Sequence, residues 1–242
     1  MVISTWQGRQ DSWGVTEPVL ITVDDALKGT VAEFVAWVAA TFNIAADTYA
    51  AEFEAIGAGA LRNHYNKDGS TFVFMDLTVD GAQAGRLVFE LYTSVCPKTS
   101  ENFMKLCTGE AGTNERGTAL TYEGSVIHRI QERGWVQGGD IVSATGSAGD
   151  SVHGETFPDE NFIVQHDGRG ILSMANSGLH TNASQFNISF RGLPWMNQKY
   201  VAFGKVVEGS DVLAQLEGVP TASSGRPIAD CKIASCGLLG DA

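Results

Sequence analysis

Arg129 stands in a short strand-like segment beside Ile127 and Ile130, at the head of a run, residues 127–140, that also holds Trp135 and Gln137 and ends in Gly138-Gly139-Asp140. A second run, residues 170–178, carries Ala175, Asn176 and Ser177, and the chain closes this region with Ser184-Gln185-Phe186-Asn187-Ile188. Each run mixes an apolar strand pattern with a few fixed polar side chains and stops in glycine or small residues. Segments of this kind present a shallow groove on a sheet surface, with a few aimed hydrogen-bonding groups.

The other reactive residue types point elsewhere. His128 sits in a strand pattern and is expected to satisfy a hydrogen bond in the core. His153, His166 and His180 lack metal-ligand spacing with one another or with the cysteines, so no metal is expected. Asp159-Glu160 belongs to the run Asp-Glu-Asn-Phe and reads as a structural loop rather than a catalytic carboxylate pair. Asn182-Ala183-Ser184 and Asn187-Ile188-Ser189 match the glycosylation sequon, but no basic-then-apolar signal opens the chain, so neither is expected to be used. The glycines at 57 and 59 do not form a phosphate loop.

The four cysteines, Cys96, Cys107, Cys231 and Cys236, do not resemble a secreted disulfide framework in a chain of 242 residues, which makes the reducing cytosol the expected compartment. A net charge of −12 argues against nucleic acid, because phosphate recognition needs a basic face. It suits a solvated acidic surface or docking on a basic protein. Apolar residues make up 43 % of the chain, enough for a core, and no long uninterrupted apolar run predicts a membrane span.

These groups need elements to position them. Residues 1–17 have no clear period and read as an extended arm. Residues 19–23 are a strand candidate ended by Asp24-Asp25. Thr30 and Glu33 then form a capping-box pattern before Val31, Phe34, Val35, Val38 and Phe42, which recur at helical steps. A second helix is expected from near Asp47 to about Tyr65, weakened by Gly57 and Gly59. Two such helices cannot bury both faces alone, so residues 1–70 are expected to dock on the main domain or on a partner, with residues 71–242 forming that domain. From Thr71 the pattern turns to strands: 71–79, 86–91, 125–130, 135–138, 171–175, 185–190, 201–206 and 232–234. Pro97 opens a helix through Phe103 and Leu106. Ser210 is expected to cap a second helix that Gly218 ends. Many short strands with two helices predict a mainly β fold, a closed antiparallel barrel.

Eight segments in order resemble the cyclophilins, the cyclosporin-binding peptidyl-prolyl isomerases, over about residues 71–239. They are Phe89-Glu90-Leu91, Pro97-Lys98-Thr99 with Glu101-Asn102-Phe103, His128-Arg129-Ile130, Gln137-Gly138-Gly139-Asp140, Asp159-Glu160-Asn161-Phe162, Leu172-Ser173-Met174-Ala175-Asn176, Ser184-Gln185-Phe186 and Phe203-Gly204-Lys205-Val206. The resemblance implies an eight-stranded barrel with a helix over each open end, and an isomerase that needs no cofactor. It implies that Arg129 donates to the imide nitrogen and that Gln137 holds the carbonyl end. The Asn176 backbone, flanked by Ala175 and Ser177, would hold the substrate chain. Gly146 and Gln185 would line a neighbouring subsite, and Trp195 would form a wall.

The proline pocket departs from the family. Active members usually have two phenylalanines and a methionine there, where this chain has Gly134, Asn187 and Trp135. Met196 stands where leucine is usual and Tyr200 where histidine is usual. Trp135 either fills the space left by Gly134 or plugs the pocket. Weak or absent isomerase activity, with extended-peptide binding kept, is the expected result. Residues 111–121 are extra and resemble the divergent-loop cyclophilins; those carry cysteines at the positions of Cys107 and Cys236 and an acidic residue at Asp150, which implies a redox-sensitive cysteine pair. Cys96-Pro97-Lys98-Thr99, Arg116-Gly117, residues 134–142, residues 200–204 and Val219-Pro220-Thr221 are similar to the ciliary branch of the family, found in axonemal radial spokes. That implies protein partners, the spoke subunits, and a place in the cilium. The alternative is an active cytosolic isomerase that folds client proteins.

Overall fold

The computed structural model describes residues 3–6, 20–23, 26–29 and 71–239. The chain divides into two compact units, 1–64 and 65–242. In the first unit, β1 (Ile3–Trp6), β2 (Leu20–Val23) and β3 (Ala26–Gly29) form a three-stranded antiparallel sheet in that order. The sequence reading expected a strand at β2 but only an arm at β1 and nothing at β3. Strands β2 and β3 pair antiparallel with Val23 opposite Ala26. The two helices expected between Thr30 and Tyr65 lie outside the described residues.

In the second unit eight strands form one antiparallel sheet. They are β4 (Thr71–Val79), β5 (Ala82–Leu91), β6 (Ile127–Gln131), β7 (Trp135–Gly138), β8 (Ile171–Met174), β9 (Phe186–Ser189), β10 (Ala202–Glu208) and β11 (Cys231–Leu238). Their order is β11-β4-β5-β10-β8-β9-β7-β6. The two end strands meet through a bridge, Val126↔Lys232, and through Ile233 N–H donating to the Ser125 carbonyl at 2.9 Å, which nearly closes the barrel. Near-closure removes the exposed edges that an open sheet of this length would leave.

Two helices complete the unit: α1 (Pro97–Thr108), packed on β4, β10 and β11, and α2 (Ser210–Glu217), packed on β5, β6 and β7. Pro97 does stand in the first turn of α1. The cap of α2 differs from expectation. Ser210 is the first helical residue and makes no capping bond; the cap is Gly209, at φ +88°. A Cβ there would lie 2.2 Å from the Arg86 carbonyl oxygen, so close approach as well as the left-handed φ calls for glycine.

The core centres on Phe103 of α1, fully buried. Its ring lies 5.8 Å from Phe89, 5.1 Å from Tyr122, 5.4 Å from Phe186 and 5.3 Å from Phe203, mostly edge to face. One helix side chain thus ties strands β5, β9 and β10 to the segment at Tyr122. The Tyr122 hydroxyl donates to the Ser184 carbonyl at 2.7 Å, so the polar end of that ring is also satisfied.

Candidate functional site

Strand pairing builds the site. Arg129 lies opposite Gln137, Gln137 opposite Asn187, and Asn187 opposite Ser173. Directly opposed residues share a face of a sheet, so these four form one polar row across β6, β7, β9 and β8. Along the row burial rises: Arg129 is exposed, Gln137 half-buried, Asn187 and Ser173 buried.

A bulge aims the first member. The β6–β7 register shifts between Ile127 and Arg129, so Ile127 and His128 are both buried and Arg129 turns outward. A tight turn then leads into β7, with Arg133 at φ +55° and the Gly134 N–H donating to the Gln131 carbonyl at 2.8 Å. The turn puts Trp135 beneath the arginine: the guanidinium carbon is 5.3 Å from the indole centre, within cation–π range.

The amides are wired together. Gln137 donates to Gln185 Oε1 at 2.8 Å, and Gln185 donates to the carbonyls of Gly146 at 3.1 Å and Ala148 at 2.7 Å. Those carbonyls belong to a loop folded around Asp140. Its carboxylate accepts from the N–H groups of Val142, Ser143, Gly146 and Ala148 and from the Ser143 hydroxyl. Burial alone would raise the Asp140 pKa, but these hydrogen bonds together hold it at about 2. Gly146 needs its φ of +86°, and a Cβ on it would come within 2.5 Å of the His128 ring. The ring of His128 is buried; Gln185 and the Val126 backbone are its polar neighbours, but neither forms a well-aligned hydrogen bond with it. Burial lowers its pKa.

Trp195, 48 % exposed, sits in a 3-10 turn, Pro194–Met196, with its ring 5.5 Å from Trp135 and 6.2 Å from Tyr200. The three rings make an aromatic ledge beside Arg129. Met196 and Asn187 are only 1 % and 3 % exposed, so neither offers a surface to a ligand in this arrangement, contrary to the expectation that both line the groove. The Asn187 amide donates a long bond, 3.4 Å, to the Met174 carbonyl. At Gly134 a Cβ would be crowded, 3.0 Å from Gln131 Cγ and 3.2 Å from its carbonyl oxygen. The Asn176 side chain is used internally, donating to the Lys199 carbonyl at 2.8 Å.

Beside the groove lies a cavity of about 750 Å³ whose lining includes Gln137, Gln185, Gly146, Ala175, Asn176 and Ser177. Sequence reasoning assigned these six to the site but missed the charged part of the lining, Arg116, Asp150 and Glu155. The extra residues 111–121 were the available signal. They form a loop organised by Asn114, whose Oδ1 accepts the N–H groups of Arg116 at 3.0 Å and Thr118 at 2.9 Å.

Among the described residues no group of three or more His, Cys, Asp or Glu could hold a metal ion. No helix among them is long and apolar enough to cross a membrane. Both sequons are buried at their asparagines, Asn182 at 0 % and Asn187 at 3 % exposure, which blocks an acceptor role in the folded chain.

A nearly closed eight-stranded barrel with two helices, carrying an outward arginine in a row with a glutamine, defines a prolyl isomerase fold. Residues 74–238 match the family described as cyclophilin type peptidyl-prolyl cis-trans isomerase/CLD, and the chain belongs to that family. It is 42 % identical over 231 residues to the cattle protein named "Probable inactive peptidyl-prolyl cis-trans isomerase-like 6", covering 96 % of this chain and 75 % of that one. The mouse and human proteins of the same name are also 42 % identical, over 96 % and 95 % of this chain and 74 % and 73 % of theirs.

Proposed function

We propose that this cyclophilin domain isomerises X-Pro bonds weakly and serves mainly as a structural subunit of the axonemal radial spoke, in the cytoplasm of the cilium. Residues 1–70 act as its fastening and the Arg129 groove holds an extended segment of a neighbouring protein. The observation that carries reduced activity is the closure of the ring pocket, where Asn187 and Met196 are buried and Trp135 lies under the guanidinium. The word "inactive" in the relatives' names agrees with it. The run similar to the ciliary branch supports the spoke assignment.

The chemistry asked of the groove is small. A prolyl bond resists rotation because the nitrogen lone pair is shared with the carbonyl, a barrier of roughly 20 kcal/mol. Breaking that sharing needs a donor at the imide nitrogen and no nucleophile. Arg129 is that donor, and Gln137, fixed through Gln185 by the Gly146 and Ala148 carbonyls, is the group that meets the substrate carbonyl. The pyrrolidine ring needs an apolar hollow. Admitting it here sets it against the Asn187 carboxamide and breaks that group's bond to the Met174 carbonyl, at about 1–3 kcal/mol.

A photo-crosslinking residue at the exposed position 177, introduced into the full chain in a motile ciliated cell, tests the reading. One axonemal protein is expected to dominate the cross-linked material. A broad set of soluble proteins would favour the alternative, an active isomerase serving folding clients, for which the retained Arg129, Gln137 and Trp195 argue.

A redox pair at Cys107 and Cys236 is a second, separate proposal. Both thiols are free, and Cys107 is 2 % exposed. Burial raises the Cys107 pKa well above normal, with a smaller effect from Cys236; burial and then Glu123 push Cys236 to about 11. The thiols interact, but as protonated groups they oxidise slowly. After hours in diamide, which takes two electrons and two protons from the pair, peptide mapping is expected to find Cys107 linked to Cys236. Two fully free thiols would end the idea.

A further inference from the structure

The charged residues lining the 750 Å³ cavity are Arg116, Asp150 and Glu155, with every other lining residue neutral. Asp150 is satisfied from both sides. One carboxylate oxygen receives Arg116 Nη2, and the other receives the Asn114 amide at 2.9 Å. Its side chain is 4 % exposed, so its charge is spent on holding the 111–121 loop. Arg116 also reaches Glu155 through Nη1 at 3.1 Å, but Glu155 is 75 % exposed and shares a guanidinium already committed to Asp150. One cation against two carboxylates leaves a single negative charge on the lining, and it sits on the solvent-facing partner, Glu155. Val142, Ala148, Ala175 and Ala183 give the cavity apolar stretches of wall, while Thr118, Thr156 and Thr181 add hydroxyl groups.

We infer that this cavity accepts a lysine or arginine side chain of the docked segment, with Glu155 as the residue that selects it. A long aliphatic stem suits the alanine and valine surfaces while its charged head stays near water. The head meets Glu155, whose charge Arg116 cancels only in part. Arg116, brought by the inserted loop, holds that carboxylate at the cavity wall through Nη1. A glutamate side chain in the same place would face the unbalanced charge. The net charge of −12 on the whole chain works in the same direction, drawing basic segments toward it.

This inference rests on the reading of the Arg129 groove as a peptide site, and the test separates the two. The full chain is titrated with the amidated peptides acetyl-Xaa-Ala-Pro-Phe and acetyl-Ala-Xaa-Pro-Phe, where Xaa is lysine, norleucine or glutamate. Binding is followed by amide NMR at low and at moderate salt. In at least one of the two frames, lysine is expected to bind about three- to fivefold more tightly than norleucine at low salt, the size of an exposed ion pair. Glutamate is expected to bind most weakly. The lysine advantage shrinks with salt, the lysine-to-norleucine ratio falls to about one in Glu155→Gln, and Glu155→Lys reverses the order of lysine and glutamate. Equal affinity for all three peptides in both frames, or a lysine advantage that survives Glu155→Gln, overturns the basic subsite and leaves the groove standing. No shift of groove amides by any peptide overturns both.

Discussion

Trp135→Met combined with Asn187→Phe is expected to raise turnover of an Ala-Ala-Pro-Phe anilide in a protease-coupled assay by about 10- to 100-fold over the unaltered chain. The size follows from the pocket. Seating a proline ring here breaks the Asn187 bond to the Met174 carbonyl and leaves that amide unpaired, at about 1–3 kcal/mol, and each ~1.4 kcal/mol of barrier is a factor of ten in rate. The double substitution removes the amide and withdraws the indole from beneath the Arg129 guanidinium, 5.3 Å away. Trp135 is half-buried and gives way readily, but Asn187 is 3 % exposed, so the larger phenylalanine needs local repacking, and a thermal melt of the double variant checks that the fold is kept. Adding Arg129→Ala to the double variant should erase the gain, since the donor at the imide nitrogen is then gone. If the unaltered chain already turns over at the rate of the double variant, and loses that rate with Arg129→Ala, the closed pocket is no obstacle and the proposal of weak activity fails.

The second large effect is on stability. Phe103→Ala is expected to destabilise the 65–242 unit by about 3–5 kcal/mol, the usual cost of removing a buried aromatic ring. Four aromatic rings lose a ring partner at once, three of them edge to face, and they belong to different parts of the barrel. Urea denaturation followed by hydrogen exchange of β9 peptides reads the change where it matters for the groove, since Phe186 is the immediate neighbour of both Gln185 and Asn187. Leu179→Ala, at a position 71 % exposed, serves as the control and should stay within about 0.5 kcal/mol. A similar loss in both variants would remove Phe103 from its central place in the core.

Which elements form was largely legible because their signals are local. Alternation fixed β7 at both ends and β6, β8, β9 and β10 to within two residues at each end, and Pro97 marked the start of α1. The misses are instructive. Glycine at 209 rather than serine at 210 caps α2, because the backbone there runs against the Arg86 carbonyl, a contact with a residue more than a hundred positions away. The pairing of β2 and β3 escaped notice because β3 is four residues long and is followed directly by a capping-box pattern. At the site, Arg129, Gln137 and Gln185 were singled out as polar residues in apolar strands, and they do come together. Glu155 and Arg116 were not, since nothing local marks an exposed acid and an exposed base as neighbours.

The amino-acid order by itself determined the family, the barrel's strands and helices and the identity of the groove's polar residues, because period, turn chemistry and motif are written in neighbouring positions. Only the tertiary structure decided what those residues are available for. Cross-strand register set Arg129, Gln137, Asn187 and Ser173 in one row and packing closed its inner end, so that Asn187 and Met196, chosen from sequence as lining residues, are buried. Accessibility is a property of everything packed around a side chain, and the side chain's own sequence context does not contain it.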